Sequence, residues 1–498
     1  MENPDRGWIG DRDYRIVPGS DADDILFIAG NNRALRISKD LGRRLTAQGL
    51  DALTAAERAD WDTLVRAGII SADNTSRTRA ASFQDGANLA INVNLTAFCN
   101  LGCSYCFADG GDYGRIKGRM EADMVGEILA FARAHVTPSQ TVRFEFFGGE
   151  PLLNFPRIAE LCEGAQALQE ETGISFIHRI STNLTVLPQG ACELFARHRF
   201  IVSVSIDGDE ATHDANRPTK GGKGSWARII ENCRTVRGAS DDITMVARMT
   251  VVGGKPALRD NVLALWQLNL FDYFQIYPGV VPASRSDILD GGARPPAGPP
   301  KTMSADFLGQ LADFIDFYPS LFRPNNRFKG VLEYERIADM VLTGKMALSF
   351  CSGGRNYFTF SPDRSIMPCH RLVGDVSFKV GESDKGLSGQ GLDGWRLPID
   401  DHPVCSQCWV RYICGGGCKQ ENFQATGDMN DPSREGCAYQ MQLVENVLQQ
   451  VERSDVAYRS GNRAPFDNLF VSCGRPVVVN LRAPDAQMPA GVRAFRVL

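Results

Sequence analysis

The sequence has no apolar run long enough to span a bilayer, for which about 20 residues are needed, and its mean hydropathy is −0.20. No membrane partner is therefore expected. Nor is there an excess of positive charge. The 54 Lys and Arg stand against 59 Asp and Glu, a formal net charge of −5, so the basic footprint of a nucleic-acid binder is missing. The first residues, Met1 to Arg15, are polar and acidic and lack a secretory h-region, so a cytoplasmic chain is expected. There is no solenoid-type repeat. Composition is ordinary, 43% hydrophobic and 23% charged, which excludes a mainly disordered or collagen-like chain. The 498 residues are a soft prior for about three domains. A chain this long buries a core without disulfide staples.

Cysteine, by contrast, is plentiful, at 14 residues. In a large chain without a secretory signal, clustered cysteines bind metal or catalyse more often than they staple. Ten fall into two groups: Cys99, Cys103 and Cys106, then Cys351, Cys369, Cys405, Cys408, Cys414, Cys418 and Cys437. Cys162, Cys192, Cys233 and Cys473 are scattered. Three of those four fall in predicted helices, where a free cysteine is usually a small buried hydrophobe.

The pattern along the chain divides it. Ile25–Ala29 and Ala34–Ile37 read as strands around a Gly30-Asn31-Asn32 turn. Ser38 can cap a helix to Leu45, Thr54 and Glu57 have capping-box spacing, and Gly68 suits a helix end. Two strands and then helices suggest a winged-helix-like module. Ser71 to Gly86 reads as a polar linker. From Ala87 strands and helices alternate. The predicted strands are Leu89–Leu95, Val142–Phe147, Phe176–Ser181, Ile201–Ile206, Met245–Val252 and Tyr273–Tyr277. Amphipathic helices are predicted between them at Glu121–His135, Phe155–Glu171, Gln189–Arg197, Trp226–Arg237 and Leu258–Leu268. Repeated βα units imply a parallel sheet under helices. Six units are too few for an eight-stranded barrel, so the expected class is α/β with a partial (β/α)6 TIM-like barrel. Ligands in such folds sit at the carboxyl ends of the strands. Val280 to Met303 is rich in Pro, Gly and Ser, and helices return at Ala305–Phe317 and Val331–Leu342.

Cys99, Cys103 and Cys106 form a C-x3-C-x2-C group just after the first barrel strand. Three such thiolates can hold three irons of a [4Fe–4S] cluster and leave the fourth open. A zinc site is the alternative, although structural zinc usually takes four ligands. With Tyr105 in the aromatic place, the motif strongly resembles that of the radical S-adenosylmethionine (radical SAM) enzymes, over about Ala87 to Tyr277. The resemblance implies that the open iron chelates S-adenosylmethionine. One electron then cleaves the sulfonium, and the resulting 5′-deoxyadenosyl radical abstracts a substrate hydrogen. It also implies that Gly148, Gly149, Glu150 and Pro151 receive the cofactor's amino group. Ser181 and Asn183 would contact ribose, although the glycine that usually follows is Leu184 here. Ser205 and Asp207 end the fourth strand. Arg217 resembles the arginine that pairs with the methionyl carboxylate, and a surface ion pair between Asp207 and Arg217 is the plainer reading. Arg248 and Thr250 lie where adenine packs.

The second group, Cys351-x17-Cys369 and Cys405-x2-Cys408-x5-Cys414-x3-Cys418-x18-Cys437, is too ordered for chance; a two-zinc ribbon is one reading. It resembles the SPASM extension of radical SAM enzymes, which carries two auxiliary [4Fe–4S] clusters. Where that family usually has a glycine, this chain has Arg364, in a hairpin expected between Asn356–Phe360 and Ser365–Met367. The family's interleaved ligation implies an outer set of Cys405, Cys408, Cys414 and Cys437. The inner set would be Cys351, Cys369 and Cys418, leaving one iron closed by another residue or open to a substrate thiolate. His370 and Asp375 are candidates for the general base, with a structural hydrogen-bonding role as the plainer reading of His370.

These resemblances give a domain plan. Residues 1–84 form the winged-helix-like module and linker, 85–335 the radical SAM barrel, 336–452 the cysteine-rich α+β SPASM domain and 453–498 a tail. They imply a maturase that cross-links a ribosomally made precursor peptide or small protein, most readily through a cysteine thioether. The substrate's leader would be held by strand addition on the N-terminal module. Carbon–carbon or carbon–oxygen cross-linking is a close variant. A sulfatase-type formylglycine-forming dehydrogenase is a second reading, and a non-enzymatic zinc-ribbon protein a third. Three [4Fe–4S] clusters, S-adenosylmethionine and an electron donor such as flavodoxin or ferredoxin are the implied cofactors and partner.

Overall fold

The computed structural model describes residues 13–19, 22–71, 89–113, 116–252, 258–279, 305–453, 477–479, 489 and 491–498. The expected linker after Ser71, the run 280–303 and Cys473 lie outside the described residues.

The first unit is an antiparallel meander of β1 (Tyr14–Pro18), β2 (Asp23–Ile28) and β3 (Arg33–Ser38). β1 had no counterpart in the sequence reading. Asn32 turns the β2–β3 connection at φ +51°, a left-handed conformation that Asn tolerates better than most residues. Ser38 accepts the Leu41 N–H at 3.2 Å and starts α1 (Lys39–Gln48). Thr54 and Glu57 form the reciprocal capping box of α2 (Ala55–Arg66). Leu26, Leu35, Leu41, Leu45, Trp61 and Leu64 make this unit's core.

Six parallel strands follow, paired in chain order: β4 (Leu89–Asn94), β5 (Thr141–Phe147), β6 (Ser175–Thr182), β7 (Ile201–Ser205), β8 (Thr244–Val251) and β9 (Tyr273–Pro278). Between them run α3 (Asp123–His135), α4 (Phe155–Thr172), α5 (Ala191–Arg197), α6 (Glu210–Asn216), α7 (Trp226–Ala239) and α8 (Leu258–Gln267). The partial barrel stands as expected. One face of the strands is apolar: Ile91, Val93, Phe144, Phe146, Val202 and Val204 share a core with helix residues such as Ile128, Leu161 and Leu194. The other face is polar. The register aligns Asn92, Glu145 and Arg179, and then Ser205, Arg248 and Gln275. Parallel strands covered on both faces usually read as continuous apolar runs. This alternation marks a lumen built to meet polar groups. Its floor is Ile201, Val246, Tyr273 and Leu332.

After α9 (Ala305–Phe317), β10 (Gly330–Val331) pairs in parallel with β9 and leads into α10 (Leu332–Thr343). β11 (Met346–Ser349) follows. β12 (Tyr357–Phe360) then adds in parallel to β4 and turns back into β13 (Ser365–Met367), β14 (Gly381–Glu382) and β15 (Gly386–Leu387). The expected hairpin is therefore present and extends the barrel sheet. Arg364 holds φ +65° at its turn, and its guanidinium pairs with Asp123 and Glu127 of α3. A tertiary ion pair thus accompanies the strained backbone where glycine would need none. Short helices α11 (Asp393–Arg396), α12 (Arg411–Cys414) and α13 (Lys419–Thr426) follow, with Cys414 ending α12 and Cys418 just before α13, and α14 (Arg434–Arg453), which carries Cys437, closes the domain, with Asn446 Nδ2 on Leu311 O at 2.8 Å.

The segment expected as a tail contributes strands to two earlier sheets. β16 (Val477–Val479) pairs antiparallel with β11, and β17 (Arg496–Val497) pairs antiparallel with β3. Both add to strands whose N–H and C=O groups on that side would otherwise lack partners. The pairing joins residues far apart in the sequence, so no local pattern announces it.

Candidate functional site

The chain leaves β4 at Asn94 and enters the cysteine loop, which two segments clamp by main-chain bonds. Gly149 N donates to Thr96 O at 2.7 Å and Glu150 N to Phe98 O at 2.8 Å. On the far side Gly102 N donates to Pro218 O at 2.8 Å and Lys220 N to Asn100 O at 3.1 Å. The Gly148-Gly149 pair is dictated by this approach. Gly148 holds φ +134°, and a Cβ on Gly149 would lie 2.2 Å from Phe98 O. Because that neighbour is backbone, Gly149→Ala must part the two loops. The expected cost is about 1–3 kcal/mol or more, read as a lowered unfolding midpoint together with weakened S-adenosylmethionine retention.

Cys99, Cys103 and Cys106 stand within electrostatic reach of one another, and burial pushes the Cys99 thiol up to about 12. Such thiols ionise only for a strong cation, as iron is. A structural zinc usually takes four ligands, and this loop offers three thiols. In a four-iron cluster each thiolate meets its own iron, so the thiols need not converge. The donor set suits the cluster.

Glu150 is fully buried at the carboxyl end of β5. Its carboxyl accepts Thr182 Oγ1 at 2.6 Å, Asn183 N at 2.7 Å and Leu152 N at 3.1 Å. Burial nevertheless wins and raises its pKa to about 7. The folded value lies above the unfolded value of 4.5, so this group's stabilisation is complete below about 4.5 and is lost as pH rises through about 7. The shift corresponds to roughly 3 kcal/mol. Without an ammonium ligand, stability is expected to fall from pH 5 to pH 8, and Glu150→Gln should flatten that slope although it loses an acceptor. Urea titrations at several pH values read this directly.

Opposite stands a second buried cluster. Asp207 accepts the Tyr105 hydroxyl, the Thr250 N–H at 3.0 Å and Arg217 Nη2 at 3.1 Å. The Arg217 guanidinium lies 5.1 Å over the Tyr105 ring. The pair is buried, at 2% and 7% exposure, which overturns its reading as a surface ion pair. Burial opposes the Arg217 charge, but Asp207, Tyr105 and Cys103 outweigh it and raise its pKa. Arg217 Nε is buried without a hydrogen-bond partner, which leaves a donor for a ligand carboxylate. Sequence reasoning missed the support. Asp207 N donates to His213 Nδ1 at 3.3 Å, His213 Nε2 meets Ser225 Oγ at 2.9 Å, and Ser225 Oγ donates to Arg217 O at 2.8 Å. The network therefore assigns His213 the Nε2–H tautomer, and burial holds its pKa down at about 4.

Asn183 Nδ2 reaches Asn100 Oδ1 at 3.0 Å and Cys99 Sγ at 3.7 Å, so it stands against the cysteine loop. Thr182, between the two expected ribose contacts, and Asn100, which was not singled out in the sequence, complete this wall. Ser181 and Ser205 end their strands half-buried beside it. Arg248 lies 5.9 Å over the Tyr277 ring, and Thr250 Oγ1 accepts from Arg217 at 3.4 Å. Deeper in the lumen Arg143 and Arg179 share Glu145 at 3.9 and 3.5 Å. Asn94, at 1% exposure, has no partner for either amide atom, and Ser203 Oγ has none.

The later cysteines fall into two sets. Cys437 lies within electrostatic reach of Cys405, Cys408 and Cys414, whereas Cys369 and Cys418 lie within reach of Cys351. Burial pushes Cys408 up to about 12 and Cys418 up to about 11. Arg371, Arg355 and Lys419 stand near the three-thiol set, as does Glu421, which is paired with Arg371. Buried Lys419 feels both Cys351 and Cys405, and burial lowers its pKa to about 8. Cys369 packs in one cluster with Cys106, Phe107, Tyr113 and Trp395, so the inner set and the first cysteine loop adjoin.

His370 faces this junction. Its Nδ1 is 2.7 Å from the Tyr357 hydroxyl and its ring lies 5.0 Å from Phe147 and 5.9 Å from Phe107. Asp375 is engaged elsewhere, capping a turn through Ser377 N at 3.1 Å and Ser377 Oγ at 2.6 Å. Cys162 and Cys233 are buried in α4 and α7, and Cys192 is half-buried in α5. Among the described residues no helix is long and apolar enough to cross a membrane.

Residues 93–258 match the model of the radical SAM superfamily. The serine-type anaerobic sulfatase-maturating enzyme of Klebsiella pneumoniae is 30% identical over 64% of this chain and 78% of its own length. The cysteine-type enzyme of Clostridium novyi is 26% identical over 65% of this chain and 87% of its own. The solved structure of native anSMEcpe with bound AdoMet superposes with a TM-score of 0.60 at 18% identity, covering 75% of this chain and all of that one, 100%. The chain belongs to the radical SAM superfamily of enzymes.

Proposed function

We propose that this enzyme is a peptide maturase that joins a cysteine sulfur of a ribosomally made peptide to a carbon, forming a thioether. Cys99, Cys103 and Cys106 would hold a [4Fe–4S] cluster; Cys405, Cys408, Cys414 and Cys437 the outer auxiliary cluster; and Cys351, Cys369 and Cys418 the inner one. When bound, the first cluster and S-adenosylmethionine supply reductive sulfonium cleavage and hydrogen-atom abstraction. Glu150 would receive the ammonium and Arg217, through its unpartnered Nε, the carboxylate. Asp207 holds Arg217 in place. The lumen would keep water from the reacting carbon, and His370, in contact with Tyr357, would serve as the base.

One observation carries the cross-linking reading. The inner set has three thiols where its partner set has four, and it adjoins the Cys106 loop. A substrate thiolate on the remaining iron would stand beside the radical site. The similarity to sulfatase-maturating enzymes favours a second reading, oxidation of a Cys or Ser side chain to an aldehyde. Anaerobic incubation with a cysteine-containing precursor peptide and mass spectrometry separates the two. A loss of two hydrogens that survives thiol reduction, with that cysteine no longer alkylatable, is expected. A product captured by a hydrazine reagent would establish the aldehyde instead. A flavodoxin or ferredoxin would supply the electron.

A further inference from the structure

We propose that Arg371 sets how readily the inner cluster takes up an electron, and that Glu421 opposes it. This rests on the reading of Cys351, Cys369 and Cys418 as cluster ligands, and it names the residues that govern the cluster's reduction potential. Arg371 meets the three-thiol set at two points. Its Nη1 stands 3.8 Å from Cys418 Sγ, and its main-chain N–H donates to Cys369 Sγ at 3.4 Å. The guanidinium is fixed on two further sides. It lies 5.5 Å over the ring of Phe107, the residue after Cys106, and it pairs with Glu421 on α13. Phe107 packs in one cluster with Cys106 and Cys369, so the cation sits where the first cysteine loop adjoins the inner set. Arg355 and Lys419, also near the set, are held by other acceptors. Arg355 donates to Trp395 O at 3.4 Å and to Arg396 O, and Lys419 Nζ to Asn430 Oδ1 at 2.5 Å and Gly394 O at 3.2 Å.

Both contacts of Arg371 act in one direction. The potential of an iron–sulfur cluster depends on its net charge and on hydrogen bonds to its sulfurs. Reduction adds one negative charge, so a neighbouring cation and an N–H···S bond both favour the reduced form. A guanidinium keeps its proton in proteins, so the charge is permanent. The Arg371 side chain is 25% exposed, and a partly buried charge is screened less than a surface one. Glu421 carries the opposite sign and offsets that field. Its side chain is 41% exposed, so water weakens its influence more.

Redox titrations of the full-length, cluster-loaded chain, followed by electron paramagnetic resonance, read the midpoints without any peptide. The inner midpoint is the one kept both when Cys99, Cys103 and Cys106 are replaced by alanine and when Cys405, Cys408, Cys414 and Cys437 are. Arg371→Met is expected to lower it by about tenfold or more in the reduction equilibrium constant, which is about 59 mV for one electron. Arg371→Lys keeps the charge and should stay nearer the native value. Glu421→Gln should raise the midpoint by a smaller amount. A merely structural pair gives a different pattern. Arg371→Met and Glu421→Gln break the same salt bridge, so both would then shift the midpoint in the same direction or leave it alone. Either result would overturn the proposal, as would an outer midpoint that moves as far as the inner one. Iron content and visible absorbance confirm that each variant is loaded. If Arg371→Met does not load, Glu421→Gln decides alone, because it leaves the cation in place: a raised midpoint supports the assignment, and an unchanged or lowered one overturns it. If the midpoints move as stated and the peptide product is an aldehyde, the thioether function is wrong and the Arg371 assignment stands.

Discussion

Replacing Cys99, Cys103 and Cys106 together by alanine is expected to remove about four of about twelve irons per chain and to abolish formation of 5′-deoxyadenosine. The other two sets draw every thiol from a later part of the chain, between Cys351 and Cys437, so their irons should remain although the inner set adjoins the first loop. The reciprocal variant, with Cys405, Cys408, Cys414 and Cys437 replaced, should also lose about four irons while retaining cleavage of S-adenosylmethionine. Replacement of Cys162, buried in α4 with its sulfur 3.8 Å from His178 Nδ1, should change no iron at all. Metal analysis and the visible spectrum of anaerobically purified protein read these outcomes. About two zincs per chain and no colour, as four-ligand zinc sites would give, would sink the mechanism.

The cysteine sets are the feature most legible in the sequence, because a metal cluster dictates residue type and spacing at once. The barrel strands were legible too, for a reason specific to this lumen. Asn92 and Asn94 alternate with Ile91 and Val93, and Arg143 and Glu145 with Phe144 and Phe146, so each strand declares one polar face. What escaped is what depends on distant residues or on burial. The helix α6 is seven residues long and too short for a periodic pattern, although Asp209, whose side chain caps it by accepting the Thr212 N–H at 2.8 Å, was a usable signal. It places His213 under Asp207 and delivers Arg217 to Tyr105. Asp207 and Arg217 could be read as a surface pair because nothing local tells a strand-end carboxylate whether a lid covers it. Arg364 departs from the glycine pattern, and its left-handed turn goes with two acidic partners on α3 that no spacing rule links to it. The pairings of β16 with β11 and of β17 with β3 are the extreme case, since nothing local names a partner strand far away in sequence.

Asp207→Asn is expected to be the most destabilising single change near the site and, at the same time, to enlarge the stabilisation given by S-adenosylmethionine. The variant keeps an oxygen for the Thr250 N–H but leaves the buried Arg217 without its countercharge. Breaking a buried pair in this way costs about 3–5 kcal/mol, and a change of 1 kcal/mol moves an unfolding midpoint by about 2–4 °C in chains of 150–250 residues. The midpoint should therefore drop by several degrees. If Arg217 is the carboxylate anchor, a bound carboxylate supplies part of the missing charge. The ligand then stabilises the variant more than it stabilises the native chain, because anything that binds only the folded state adds stability in proportion to its affinity there. If Asp207 and Arg217 were merely a structural pair, the variant would fall by a similar amount but gain no more from ligand than the native chain does. Melting curves of both proteins, cluster-loaded and with or without S-adenosylmethionine, separate the cases. Arg217→Gln supplies the complementary arm: it leaves Asp207 as an unpaired buried carboxylate and removes the ligand's partner. It should lose stability and the ligand response together.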